Sequence, residues 1–103
     1  MPVKEMSRKP SPQAEELREL LAREWRRPAE SGEPVILQRT GDASHSTHLV
    51  VVWAKWDSLT QEERSEIIMD AYQETHSPEQ VLNVTVAMGL TPDEAEKMKI
   101  AYK

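Results

Sequence analysis

A chain of 103 residues, 38% hydrophobic and 30% charged, has the makeup of one folded soluble domain rather than of a disordered chain. It has no cysteine, which excludes disulfides, thiolate metal sites and a cysteine nucleophile. The net charge of −5 is uneven: residues 1–28 carry seven Lys/Arg against five Glu, whereas residues 29–103 carry six against thirteen Asp/Glu, and such an acidic body disfavours non-specific nucleic-acid binding.

Residues 1–10 read as a flexible N-terminal tail, and 11–103 as a single domain. The opening MPVKEMSRKPSP lacks the apolar stretch of a signal peptide. No run approaches the roughly 18 apolar residues of a membrane span. Both observations point to the cytoplasm. Ser11 and Pro12 then give the cap and first position of a helix. Ala14, Leu17, Leu21 and Trp25 recur at helical spacing, with Leu20 beside them. Glu15 and Glu16 near its start, and Arg23, Arg26 and Arg27 near its end, suit the helix dipole. Pro28 stops it. After the turn AESGE, Pro34 opens a strand over Val35–Thr40, expected near a sheet edge.

Gly41–Thr47 reads as a polar loop. The second strand begins at His48 or Leu49 and is expected to run to about Trp56, before Asp57 and Ser58. Thr60 and Glu63 form a capping box, with Leu59 placed as a hydrophobic staple. The helix they open, Gln61–Thr75, sets Ile67, Ile68, Ala71 and Tyr72 on one face. Glu62, Glu63, Glu66, Asp70 and Glu74 lie on the other. Residues 78–88 admit two readings. Leu82, Val84, Val86 and Met88 alternate with polar or small residues as in a strand, the favoured reading. The rival is a helix from Pro78 to Met88 closed by Gly89. Thr91-Pro92-Asp93-Glu94 starts a last helix. The order α-β-β-α-β-α predicts an α+β fold, a two-layer sandwich with helices on one face of a small three-stranded mixed sheet.

This order, together with three local matches, resembles the BolA-like family, whose fold is related to one class of KH domains. The matches are His48-Leu49-Val50-Val51-Val52, the segment DSLTQEERSEIIMDAY over Asp57–Tyr72, and VTVAMGLTPDE over Val84–Glu94. They cover roughly Val35 to Glu96. The resemblance implies iron–sulfur cluster handling with a monothiol glutaredoxin, or transcriptional regulation. It implies cluster ligands at a His or Cys in the loop between the first two strands and at a His following an Arg in the helix. His45 fills the loop position. Arg64 is followed by Ser65, so the helix ligand is missing, and a serine is no substitute for imidazole on iron.

Three constellations are candidate sites. His45 and His48, with Asp42 nearby and His76 further on, offer metal ligands, although two fall short of the usual three or four. The competing reading is a polar loop with one strand-entry histidine. Glu62, Glu66 and Asp70 stand four apart on one helix face and offer an acidic docking stripe, or simply a solvated face. The second strand is apolar on both sides. Leu49, Val51, Trp53 and Trp56 are therefore candidates for a partner or homodimer surface, unless the rest of the chain covers them. With glycines only at 32, 41 and 89, there is no GxxG loop for KH-type RNA binding. Enzymatic signatures such as GxSxG, HExxH and the P-loop are missing too. The sequence thus points to a non-enzymatic protein-binding or regulatory module without a cofactor. An iron–sulfur or metal accessory role through His45 is the alternative. Nucleic-acid binding through the basic first helix ranks last.

Overall fold

The computed structural model describes residues 12–29, 32–41 and 46–101. The tail expected over 1–10 lies outside them. Helix α1 spans Pro12–Arg26 and buries Leu17, Leu21 and Ala22. Strand β1, Val35–Thr40, and strand β2, Thr47–Val52, form an antiparallel pair running in register from Val35 opposite Val52 to Thr40 opposite Thr47. Helix α2 covers Gln61–Thr75 and the short helix α3 covers Pro78–Leu82. Strand β3, Val84–Leu90, lies parallel to β2, and helix α4, Pro92–Lys97, follows it. The sheet order is β1-β2-β3. Parallel neighbours need a crossover, which α2 and α3 supply. The α+β architecture and its three-stranded mixed sheet are those expected from the sequence. Among the described residues, no helix is long and apolar enough to cross a membrane.

Three features differ from expectation. First, β2 stops at Val52. The Trp53 amide still donates to the Leu90 carbonyl at 2.8 Å, but Ala54–Trp56 then close a single 3₁₀ turn. That turn drops Trp56 into the interior, where its indole Nε1 donates to the Val51 carbonyl at 3.0 Å. An extended chain would alternate its side chains and leave one aromatic outside.

Second, both readings of 78–88 are partly right. Ser77 and Gln80 build a reciprocal capping box, and the helix lasts only to Leu82. The Asn83 amide closes it on Gln80, while the Asn83 carbonyl accepts from the Thr47 amide at 2.7 Å and opens β3. Third, the helices do not all lie on one face. Leu17 and Leu21 of α1 and Ile67, Ile68, Ala71 and Tyr72 of α2 share a core with Leu49, Val51, Trp53 and Trp56. Ala95 of α4 packs instead with Val52 and Leu90 on the opposite face, and Ile100 beyond it joins the same cluster.

One charged side chain ties the layers together. Arg64 of α2 is only 5% exposed. Its Nε donates to the Trp56 carbonyl at 3.1 Å, and its Nη1 to the Gly89 carbonyl at 3.1 Å and the Glu94 carboxylate at 2.7 Å. Glu94 is also the third residue of the α4 capping box, accepting from the Thr91 amide at 2.8 Å. A guanidinium suits this place because its planar fork spreads several donors over fixed acceptors. Gly89 makes the approach feasible: a Cβ there would stand 2.8 Å from Arg64 Cβ and 2.9 Å from Trp56 Nε1.

Candidate functional site

The sheet has one covered and one largely open face. On the covered face, Leu49, Val51, Trp53 and Trp56 are buried beneath α1 and α2. These are the side chains the sequence offered as a partner or homodimer surface, and that expectation is corrected: buried atoms have no area left to lose to a partner. The cause is that α1 and α2 pack onto one side of β2, while the 3₁₀ turn folds Trp56 back under the same roof. Trp53 and Trp56 meet edge to face with ring centroids 5.1 Å apart.

On the other face, Val35 and Leu37 of β1, Val50 of β2 and Met88 of β3 are only partly buried. The register sets Val50 between Leu37 and Met88. Ala95 and Ile100 cover the end near Val52 and Leu90. At the other end Arg39 and His48, which are cross-strand partners, are exposed. The strip is bordered by a concavity of about 520 Å³ lined by Gln61, Met88, Leu90, Glu94, Lys97 and Met98. Met98 is 52% exposed there. Methionines are unbranched and adaptable, which suits a surface that must fit another protein.

The outer edge of β3 is chemically occupied. The Ser65 hydroxyl donates to the Ala87 carbonyl at 2.6 Å. The Gln61 amide donates to the Gly89 carbonyl at 2.7 Å, beside the Arg64 bond to the same oxygen. Side chains from the first two turns of α2 therefore do there what a neighbouring strand would do. Ser65, read from the sequence only as the residue standing where a ligand was expected, has this definite task.

The remaining predicted residues are dispersed. His45 and Asp42 lie outside the described residues. His48 projects from β2 beside Arg39, an unhelpful neighbour for a cation site. His76 caps the end of α2, stacked on Tyr72 at 3.8 Å and edge-on to Trp25 at 5.6 Å. Its Nδ1 lies 2.7 Å from Thr75 Oγ1 and 3.2 Å from the Tyr72 carbonyl. Among the described residues, no three His, Cys, Asp or Glu side chains group as metal ligands. An iron–sulfur cluster does not fit the donor set: Ser65 is a poor iron ligand, and its hydroxyl is spent on β3.

In the acidic stripe, Glu62, Glu66 and Asp70 share the outer side of α2, but neither Glu62 nor Glu66 is without an interacting group. Partial burial, then the Glu66 charge, raise the Asp70 pKa against the opposing pull of Arg18. Glu74 continues the row and is bonded to Arg18 Nη1 at 2.5 Å.

No protein-family model, no curated protein and no solved structure matches this chain. Sequence reasoning missed the β1 and β3 contributions to the open face. The signal was there: Val35 and Leu37, two apart, share a side with Val50 once the hairpin register is known.

Proposed function

We propose that this chain is a non-enzymatic protein-binding module of BolA-like kind, docking through the sheet face that α1 and α2 leave uncovered. The half-buried apolar strip of Val35, Leu37, Val50 and Met88, flanked by the exposed polar side chains of Arg39 and His48, carries the reading. An apolar centre with a charged rim is the usual anatomy of a protein interface. The occupant is a different protein presenting an apolar patch with carboxylates beside it, to meet Arg39. A second copy is the poorer occupant, because two chains of net charge −5 repel. A monothiol glutaredoxin is the partner class that the BolA-like resemblance supplies.

Titration of the isotope-labelled chain with a metal-free monothiol glutaredoxin tests this by NMR. Shift changes confined to Leu37, His48, Val50 and Met88, abolished by Val50→Glu in a variant that still melts cooperatively, are expected. Absence of binding, or changes confined to α1 and α2, would overturn the reading.

A further inference from the structure

The C-terminal half of α1 carries a second, unrelated surface. Arg18, Ala22 and Arg26 lie four apart along one ridge of the helix, and Glu19, Arg23 and Arg27 along the next. With Glu74 of α2 they line a concavity of about 470 Å³. Ala22 is buried and small, which gives the hollow its depth. Arg18 is engaged by Glu74. Among the described residues, no carboxylate stands within ion-pair distance of Arg23, Arg26 or Arg27, and all three are exposed. Three guanidinium groups on adjacent turns repel by a few tenths of a kcal/mol per pair. An oxyanion held between them would remove that repulsion and take charge-assisted bonds from planar forks.

The surroundings limit the size of the anion. Glu15, Glu16 and Glu19 lie along α1 at or before the patch, and Glu74 of α2 lines it. A long polyanion would run from the arginines into these carboxylates. A compact one would not, and the hollow falls in the size range of small-molecule sites.

We propose that Arg23 and Arg26 of α1, with Arg27 just after it, form a site for a compact polyphosphate anion, either free or carried on a nucleotide. The site does not depend on the sheet-face reading.

The test is calorimetric titration of the full chain with sodium tripolyphosphate, with ATP and with a single-stranded oligonucleotide, at about 50 and 200 mM salt. Tripolyphosphate is expected to bind, more weakly at the higher salt. The double variant Arg23→Gln/Arg27→Gln should lose at least about tenfold in affinity with an unchanged melting curve. Equal binding of ATP would assign recognition to the phosphates alone, and tighter binding of ATP would add a base contact. No heat with tripolyphosphate at low salt, unchanged affinity in the double variant, or tighter binding of the oligonucleotide would each overturn the proposal.

Discussion

Gly89 is the residue with least room to change. Its backbone is ordinary; what it needs is the absence of a side chain where Arg64 and Trp56 close in. Gly89→Ala should therefore overpack the junction and cost about 2 kcal/mol, read as a lower urea midpoint at unchanged slope. Arg64→Ala removes three hydrogen bonds at once and should cost about 3 kcal/mol in the same measurement. The bond from the Thr91 amide, then the Arg64 guanidinium, hold the Glu94 carboxyl below its ordinary value of 4.5. A depressed carboxyl favours the ionised, folded state. Its contribution is complete above pH 4.5 and disappears as pH falls through the lowered value. Glu94→Gln should flatten that part of the acid-unfolding curve. Asp70 has the opposite sign: its raised pKa marks a carboxylate the fold tolerates at a cost near neutrality. Asp70→Asn should stabilise the protein at pH 7 by about 0.3 kcal/mol, seen as a slightly higher melting temperature.

Among the elements, the helix starts were the most legible, because caps are local chemistry. Thr60 with Glu63 and Thr91 with Glu94 each form the reciprocal box their spacing announced. Helix α2 rests on its cap and on five buried residues, so Thr60→Ala should lower stability by about 1 kcal/mol. Helix α3 has an equally good box but no fully buried residue, only Val81 resting against the core, and Leu82 at its end is 83% exposed. Ser77→Ala should therefore speed amide exchange within α3 and leave the global melting point nearly unchanged. Ends fixed by tertiary contacts were harder to read. Nothing in the run from Leu49 to Trp56 announces the turn at Ala54, which depends on Leu90 holding Trp53 and on Glu33 accepting from the Ala54 amide. Asn83 likewise divides one apolar alternation into helix and strand because Thr47 is waiting for its carbonyl.

Across the whole molecule, strand existence and topology were readable, but the side on which the helices would settle was not. Both sides of β2 are apolar, and a period of two cannot say which becomes the core. That ambiguity put Leu49, Val51, Trp53 and Trp56 forward as contacts when they are interior, and hid Leu37 and Met88. The functional histidine suggested by the resemblance had no companion, since Ser65 is committed to β3. With its wide apolar side under helices and the remaining strip bordered by the Arg39 charge, the chain alone should scatter light as a monomer at high concentration. A dimer that Val50→Glu disperses would contradict the choice of a foreign partner.

The hydroxyl, amide and guanidinium that α2 lends to the rim of β3 also govern how this sheet can grow. Among the described strands β1 and β3 are the two edges, and α2 side chains bridge the Ala87 and Gly89 carbonyls of β3, which leaves β1 as the flank better suited to pairing. Two copies meeting there would leave only the β3 edges outward, where α2 already holds two of the carbonyls that a third copy would need. A chain whose second edge is partly bridged in this way can form a pair more readily than the repeating geometry of a fibre.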